Sequence, residues 1–424
     1  MPTDTINDSW VRKIHDELSK RLNALIHKPT PTTNPQHWAD SLIEDAIDVG
    51  ASDIHISIQD DCATVRMRVD GVLHDARRLS VEDGERLIRH FKVMADLDPT
   101  PIFEPAEARR TYRVNGTETD LRISCTPTIT GERMAIRLLR PDALKRSINE
   151  LGMTEKHLER IHKWIHSMGG TLLVAGPTGS GKTTTLYALL HHFKTLDKSV
   201  ITIEDPVEYQ VEGIDQIQVD PRHGLDYTAG IKTILRHDPD IILVGELRDP
   251  ESVRASIQAS LSGHVVLSTL HARDAAGVVS SLRHWNVPAH ELANTLQLVV
   301  AQRLVRTLCP DCRHQDKPRD VETEWLKALG LPVPDTVFRA VGCTQCHGLG
   351  YRGRTGVFEV WSLDQQDQQA VANGLNESQL RQRLRERGDE SLLEQGLELV
   401  KQGKTTLAEL GRISSLFVPE HQKS

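Results

Sequence analysis

The chain has 424 residues, of which 26% are charged and 38% hydrophobic, and its formal net charge is −8. This length allows two or three domains with separate cores, and the composition is typical of a soluble globular protein. The acidic balance argues against nucleic-acid binding driven by bulk charge. Neither a bilayer-spanning apolar run nor a secretory signal is recognisable, so we expect a cytoplasmic protein.

Residues 1–37 form the first predicted segment, an amphipathic helix followed by a stiff linker. The helix is predicted over Trp10–Ile26, where apolar residues recur at helical spacing between charged ones. This apolar stripe fits either packing on its own domain or docking on a partner. The linker, Lys28–Pro35, is rich in proline and threonine.

Residues 38–141 are predicted to form a mixed α/β domain. Helices are expected over Ala39–Val49 and Val81–Met94, and a hairpin turn at Asp70-Gly71. Strands are expected where residues alternate or are β-branched, over Ser52–Ile58, Ala63–Val69, Thr119–Ser124 and Arg133–Leu139.

This α/β domain is rich in arginine and contains no nucleotide-binding fingerprint. Its arginines are either solvated surface groups or donors to the phosphates of a neighbouring ligand. The set comprises Arg66, Arg68, Arg109, Arg110, Arg113, Arg122, Arg133 and Arg137.

A connector over residues 142–160 leads into a second α/β domain, residues 161–308. There a buried strand, Thr171–Ala175, runs into a glycine-rich turn and then into a helix from Lys182. This order is typical of a phosphate-binding loop, in which Lys182 reaches the β- and γ-phosphates of ATP and Thr183 binds Mg²⁺. The residues expected to bind nucleotide are Gly176, Pro177, Thr178, Gly179, Ser180, Gly181, Lys182, Thr183 and Thr184.

Three further apolar strands in this domain are each followed by polar residues. Strands that alternate with helices predict a mostly parallel sheet, and ligands bind beyond the carboxyl ends of such strands. These polar side chains should therefore converge on the P-loop. The strands and their polar ends are Ser199–Ile203 with Glu204, Asp240–Val244 with Glu246, and Val265–Thr269 with His271.

Glu204 and Glu246 are the acids that we expect to be catalytic. Hydrolysis of a triphosphate requires one group that polarises water and another that holds Mg²⁺. The residues alone leave open which glutamate has which role. His264 and His271 flank the third strand, and each is either a contact of the γ-phosphate or an ordinary buried histidine.

Four of the six cysteines form two C-x-x-C pairs, Cys309 with Cys312 and Cys343 with Cys346. In a chain without a recognisable export signal, this pattern favours a metal over disulfides. Four thiolates close a tetrahedral site, so we expect structural Zn²⁺ in a small subdomain, residues 309–360. Residues 361–424 are expected to be a helical region.

The most informative stretches of the chain read GPTGSGKTTTLYALL, VITIEDPVEYQVEGIDQIQV, DPDIILVGELRDPES, GHVVLSTLHARDA and LCPDC…GCTQCHGLGYRGRTGVFEV. Together they resemble the type II secretion and type IV pilus assembly ATPases, the GspE/PilB type of the secretion ATPase superfamily. The resemblance runs from about residue 39 to 415, nearly the whole chain. It implies a RecA-like P-loop ATPase domain, a preceding PAS-like α/β domain and a zinc-binding subdomain, with ATP between the two large domains.

The resemblance also implies roles for individual residues. The Glu204 segment matches the acidic box that supplies a catalytic base, and Glu246 matches the acid of the metal-binding strand. His264 and His271 match the histidine box. Phosphate-contacting arginines of the family are matched by Arg68, Arg109 and Arg122.

The chain departs from the family pattern in two places. Many members carry a large N-terminal docking domain, where this chain has the predicted helix Trp10–Ile26 and a linker. The family's RLPQDGR-like segment corresponds here to Pro105–Arg109, in which Arg109 alone keeps the arginine role.

The resemblance implies a hexameric cytoplasmic ATPase, peripheral at the inner face of the cytoplasmic membrane, that drives assembly of a pilus or pseudopilus. Its expected partners are further copies of itself, an inner-membrane platform protein and a cytoplasmic docking protein, and no nucleic acid is expected. A pilus retraction or DNA-uptake motor is the alternative within the class, although the retraction lineage generally lacks the four cysteines. The alternative from another class is a zinc-containing nucleic-acid-translocating ATPase, which the acidic charge disfavours.

Overall fold

The computed structural model describes residues 35–101, 103–114, 117–139, 146–194 and 196–414. The predicted N-terminal helix lies outside the described residues. The described part of the chain divides into two compact units. The first is drawn from Met1–Arg140, Arg306–Arg354 and Val400–Gly411, and the second from Pro141–Val305, Thr355–Leu399 and Arg412–Ser424.

The first unit is built on a six-stranded antiparallel sheet covered by two helices. Its elements are α1 (Pro35–Asp48), β1 (Ala51–Ile58), β2 (Ala63–Val69), β3 (Val72–Leu79), α2 (Val81–Met94), β4 (Ala106–Val114), β5 (Thr117–Thr128) and β6 (Gly131–Leu139). The strand order is β3-β2-β1-β6-β5-β4.

Both predicted helices, the predicted strands and the Asp70-Gly71 turn of this unit are confirmed. The two turn residues have positive φ, 48° and 82°, as a two-residue hairpin loop requires. The sequence pattern does not predict β4, because its residues, AEARRTYRV, combine alanine and arginine with few residues of high β-propensity.

Alternation along the strands gives this sheet one apolar and one polar face. β2 alternates buried and half-buried residues along its whole length. Ile54, Ile56 and Ile136 belong to the core that α1 and α2 cover. The other face carries polar side chains, many of them arginine.

The second unit alternates strands with helices. In chain order its elements are α3 (Glu155–Ser167), β7 (Thr171–Ala175), α4 (Lys182–Phe193), β8 (Val200–Glu204), β9 (Asp215–Gln218), α5 (Tyr227–Ile234), β10 (Ile241–Val244), α6 (Pro250–Leu261), β11 (Val265–Leu270), α7 (Ala275–His284) and α8 (Ala289–Thr295). The long strand β12 (Leu296–Leu308) follows directly.

The rest of the chain contributes to both units. It contains β13 (His314–Asp316), α9 (Asp320–Ala328), β14 (Val337–Arg339), β15 (Tyr351–Ser362), α10 (Gln365–Ala372), α11 (Glu377–Glu386), α12 (Leu392–Lys401) and α13 (Leu407–Ser414). β13, α9 and β14 belong to the first unit, and α10 and α11 to the second.

The larger sheet has the order β15-β12-β7-β11-β10-β8-β9. All neighbouring pairs from β12 to β9 are parallel, as predicted. β7, β8, β10 and β11 are buried at every residue, which is the pattern of parallel strands covered on both faces. Their carboxyl ends consequently meet at one edge of the sheet.

A buried ion pair joins two distant segments of the first unit. The Arg306 guanidinium donates to Glu409 Oε1 from Nε at 3.0 Å and from Nη2 at 2.7 Å, while its backbone N–H donates to Oε2 at 2.9 Å. The guanidinium also stacks over the ring of Tyr351, 4.0 Å from its centroid. Because both oxygens of the carboxylate accept from Arg306 and the guanidinium donates twice, this buried charge is compensated.

Gly84 allows α2 to lie directly on β2. A Cβ at this position would lie 2.2 Å from Ala63 Cβ and 2.9 Å from Ile58 Cδ1.

We expect Gly84→Ala to destabilise the protein by about 1–3 kcal/mol, because overpacking outweighs the roughly 1 kcal/mol by which alanine favours a helix. Urea unfolding measures the effect, and the neighbouring exposed Glu85→Ala is the control. A Gly84→Ala variant more stable than wild type would contradict this packing.

Candidate nucleotide site and cysteine cluster

The glycine-rich turn leaves β7 at the carboxyl edge of the larger sheet and enters α4. Gly176, Gly179 and Gly181 have positive φ, which glycine adopts without the steric cost of a Cβ. A Cβ on Gly176 would lie 2.5 Å from Ser180 Oγ and 2.6 Å from the Gln302 carbonyl oxygen. A Cβ on Gly179 would meet nothing within 4 Å. The loop is thus packed on its inner side and open on its outer side, as a phosphate cradle requires.

Lys182, the first residue of α4, turns back over this loop. Its Nζ donates to the carbonyl oxygens of Gly176 (2.8 Å) and Pro177 (3.3 Å). Burial lowers the pKa of the ammonium, although the charge of Glu246 acts in the opposite direction. These two partners are neutral carbonyls, so an anionic phosphate would be a better partner for the same charge. Thr183 follows with an exposed side chain, in the position expected of a Mg²⁺ ligand.

Glu246 lies at the same edge between the side chains of Arg248 and His271. Its Oε2 is 2.6 Å from Arg248 Nε, and its Oε1 is 2.9 Å from His271 Nε2. Arg248 also contacts Asp205, which follows β8, at 3.1 Å. The loops after β8, β10 and β11 therefore meet, as parallel pairing requires. The His271 side chain is 56% exposed, so it can also reach a ligand.

Glu204, the last residue of β8, lies in a closed hydrogen-bond network. Its Oε2 accepts from the Tyr187 hydroxyl at 2.7 Å, and its Oε1 accepts from Thr202 Oγ1 at 2.7 Å and Gln216 Nε2 at 3.1 Å. Burial and the charge of Glu204 raise the pKa of Tyr187, so its hydroxyl remains a donor. The two predicted glutamates thus differ: Glu204 is held by three neutral donors, and Glu246 is held by the Arg248 guanidinium and the His271 ring.

The two predicted histidines lie at opposite ends of β11. His271 follows the strand at the P-loop edge. His264 precedes it at the amino edge, where its Nδ1 lies 3.0 Å from Ser262 Oγ and 3.0 Å from the Ala259 carbonyl oxygen. The intervening strand, at about 3.3 Å per residue, separates them by roughly 20 Å. Within one chain the structure places His271, and not His264, at the sheet edge that carries the P-loop.

Two buried polar residues of β12, Gln302 and Arg303, lie against the P-loop, and the strand-end pattern does not identify them. Gln302 Nε2 donates to the Ser180 carbonyl oxygen at 2.8 Å. Both are almost fully buried, with 1% and 3% of their surface exposed. The sequence signal that could have found them is a polar pair that directly follows an apolar run, LVVA, inside the strand LQLVVAQRLVRTL.

The three predicted phosphate-contacting arginines lie in the first unit, in one row across its sheet. The register places the following residues side by side, from β2 to β4: Arg68, Asp53, Arg137, Arg122 and Arg109. Asp53 accepts from Arg137 Nε at 3.0 Å and lies 3.8 Å from Arg68 Nε. The row concentrates positive charge on the polar face, and its contact with phosphate stays a prediction.

The four cysteine sulfurs cluster in the first unit, all within 4.8 Å of one another. The Sγ atoms of Cys309 and Cys343, of Cys312 and Cys346, and of Cys343 and Cys346 are each 3.8 Å apart. A tetrahedral ion with bonds of about 2.3 Å to sulfur requires S···S distances of about 3.8 Å. Backbone N–H groups also point at two of the sulfurs, at 3.1–3.3 Å. The donor set therefore fits a four-coordinate Zn²⁺.

Together, the parallel sheet, the P-loop and the acids at the adjacent strand ends define a P-loop ATPase fold. Solved structures share it. The Legionella pneumophila ATPase DotB superposes with a TM-score of 0.67 at 19% identity, over 92% of this chain and 98% of that one. The pilus retraction motor PilT with bound ADP superposes with a TM-score of 0.59 at 23% identity, over 91% and 98%. At these identities the similarity shows the fold alone, and it confirms the predicted fold class.

The chain belongs to the Type II/IV secretion system protein family, whose profile matches residues 34–412. It is 39% identical to the type II secretion system ATPase E of Vibrio cholerae serotype O1, over 376 residues that cover 88% of this chain and 74% of that protein. It is 37% identical to the type IV pilus assembly ATPase TfpB of Acinetobacter baylyi, over 95% of this chain and 70% of that protein. The family resemblance is therefore confirmed. In the described part of the chain, no helix has the length and apolar character needed to cross a membrane.

A buried pair of acids, Asp274 and Glu359, lies next to the loop that carries His271. Asp274 caps α7 by accepting from Gly277 N at 2.8 Å and pairs with Arg381 Nε at 2.6 Å. Glu359 accepts from Ala275 N at 3.1 Å. Burial, and then the charge of Asp274, raise the pKa of Glu359 to about 8, although Arg381 acts in the opposite direction.

The raised pKa of Glu359 predicts a pH-dependent free energy of unfolding. The native state binds the proton more tightly than the unfolded state, so this contribution is fully present below pH 4.5 and is lost as the pH rises to about 8. We expect Glu359→Gln, which mimics the neutral acid, to remove this loss. Urea unfolding at pH 5, 6.5 and 8 should show wild type losing stability relative to the variant. A constant difference across these pH values would contradict the assignment.

Proposed function

We propose that this protein hydrolyses ATP with Mg²⁺ and uses the energy to drive assembly of a pilus or pseudopilus. The observation that carries the proposal is the juxtaposition of an open P-loop with the Glu246–His271 pair at one sheet edge. A phosphate chain on the loop would be met by Lys182 and by backbone N–H groups. Mg²⁺, which Thr183 would help to hold, would neutralise negative charge on the phosphates.

The geometry supports different roles for the two glutamates. Glu246 lies with Arg248 and His271, so its charge is balanced where a γ-phosphate and Mg²⁺ would be held. Glu204 has its carboxylate oriented by three neutral donors, which is how a base that must keep one geometry is held. We assign Glu204 to orienting the attacking water and Glu246 to the metal and phosphate side. His271 would contact the γ-phosphate as well as Glu246, so that the Glu246 carboxylate responds to the presence of that phosphate.

The motor activity, as proposed, requires copies of the chain assembled in a ring. The family resemblance implies a hexamer that acts on an inner-membrane platform protein at the cytoplasmic face, and the relatives named as type II secretion and type IV pilus assembly ATPases support this class of machine. Arg68, Arg109 and Arg122 form a preformed cationic row that would receive phosphate when the site is complete.

Substitution of the two glutamates tests the ATPase proposal. We expect Glu246→Gln to lower ATP turnover by at least about 10²-fold and to lower thermal stability less than Glu204→Gln does, because Arg248 keeps Asp205 as a partner. Glu204→Gln should lower turnover as strongly and also lower the melting temperature, because an amide replaces an acceptor that serves three donors. Glu251→Gln, an exposed site on α6, is the control. Wild-type turnover in both Glu204→Gln and Glu246→Gln would refute the assignment.

We also propose that the cysteine cluster binds one structural Zn²⁺. The supporting observation is the set of 3.8 Å sulfur separations, which match a tetrahedral ion. Four protein ligands leave no open position, so the metal would hold residues 309–350 together and take no part in hydrolysis.

Metal analysis of the purified protein tests the zinc proposal. We expect about one zinc per chain. The Cys312→Ser variant and the Cys346→Ser variant should each lose this zinc and much of their stability, since structural zinc contributes roughly 10 kcal/mol to local folding. Cys62→Ser, which changes a thiol outside the cluster, should keep the metal. A zinc-free wild-type protein with an unchanged melting temperature after chelation would overturn the proposal.

A further inference from the structure

Gln302 and Arg303 connect two loops of the candidate site that are not adjacent in sequence. β12 pairs in parallel with β7, and Ala301 lies opposite Ala175, so residues 302 and 303 continue beyond the end of β7 alongside the P-loop. A Cβ on Gly176 would lie 2.6 Å from the Gln302 carbonyl oxygen and 3.1 Å from Arg303 Nη1. The P-loop backbone is therefore in direct contact with this dipeptide.

The side chain of Gln302 holds the P-loop and the first turn of α4. Its Nε2 donates to the Ser180 carbonyl oxygen at 2.8 Å, and its Oε1 accepts from Thr185 Oγ1 at 2.8 Å. Both groups of the amide are thus used, and they fix its orientation. Loss of either bond would leave a buried polar group without its partner.

The side chain of Arg303 holds the loop that follows His271. Its Nη2 donates to the carbonyl oxygens of Arg273 at 2.6 Å and Ala272 at 3.4 Å, and its Nη1 donates to the Gln302 carbonyl oxygen at 2.8 Å. Burial lowers the pKa of this guanidinium to about 10. A buried charge is costly, and here a planar fork spans backbone carbonyls on two separate elements, a geometry that lysine cannot reproduce.

We infer that Gln302 and Arg303 are positioning residues with separate tasks: Gln302 fixes the P-loop, and Arg303 sets the position of His271 relative to that loop. The inference rests on the proposed ATPase function. Substitutions at Gln302 and at Arg303 should therefore have different effects, because nucleotide affinity depends on the P-loop, whereas turnover depends on the His271–Glu246 pair. Loss of Gln302 should weaken ATP binding, and loss of Arg303 should lower kcat with little change in ATP affinity.

Hydrogen exchange of the full-length protein tests the inference without requiring activity. We expect Gln302→Leu to speed exchange in residues 176–185, and Arg303→Met to speed exchange in residues 271–275, each with little effect on the other segment. Arg303→Lys should behave like Arg303→Met in weaker form, and Thr185→Val should reproduce part of the Gln302→Leu effect. Gln297→Leu, the same substitution near the start of β12, is the matched control. Equal effects of both variants on both segments would overturn the inference.

Kinetics of the same variants provide the second arm. Gln302→Leu should raise the Kd for ATP by about tenfold, the effect of roughly one buried hydrogen bond. Arg303→Met should lower kcat by on the order of tenfold and change the Kd less than about twofold. In a His271→Ala background the same Arg303→Met change should lose most of its effect on kcat, because it acts through His271. If Arg303→Met lowered kcat equally in the His271→Ala background, the role of Arg303 through His271 would be refuted. If the wild-type protein showed no turnover, the ATPase proposal would be refuted, and hydrogen exchange would then decide the positioning role.

Discussion

Parallel pairing of β12, β7, β11, β10 and β8 is the constraint on which the candidate site depends. It places the carboxyl ends of strands that are far apart in sequence at one edge of the sheet. At this edge the backbone leaves the sheet and turns into loops, so the residues there are not covered by further strand residues. The P-loop, Glu204, Glu246 and His271 all lie there for this reason alone. Their separate hydrogen-bond environments then decide what each can do: the carboxylate of Glu204 faces neutral donors, and that of Glu246 faces the Arg248 guanidinium and the His271 ring.

Most of this edge could be predicted from the sequence, because each strand is a short, mainly apolar run followed by a polar residue or by the glycine-rich turn. Such a pattern indicates both that a strand is buried and which of its ends is polar. In a parallel sheet, these polar ends must then lie at the same edge. The four cysteines were equally predictable, since their spacing alone indicates a closed thiolate site. The α/β sheet of the first unit also followed from alternation, apart from two strands. β3 was indicated only by the hairpin turn before it, and the alanines and arginines of β4 carry little β signal.

What the sequence could not indicate depends on register and on distant pairing. Arg68 and Arg109 share a row only because β1, β6 and β5 lie between their strands, a fact about strand order that no local pattern contains. Gln302 and Arg303 sit inside a strand and so lack the strand-end signal, although they lie against the P-loop. His264 shows the opposite case: its motif suggests a site residue, but direction along β11 places it at the other edge.

The first unit is discontinuous, since its antiparallel sheet shares a compact body with residues 306–354 and 400–411. Leu349, from the segment after the cysteines, belongs to the core of that sheet, and Arg306 and Glu409 close the unit with a buried ion pair. On the ribosome, the sheet is therefore complete long before the segments that finish its unit have been translated. The surfaces of the sheet that these later segments cover stay exposed until almost the entire chain has been made. A nascent chain truncated before Glu409 would therefore carry an incomplete first unit, even if all its strands had paired.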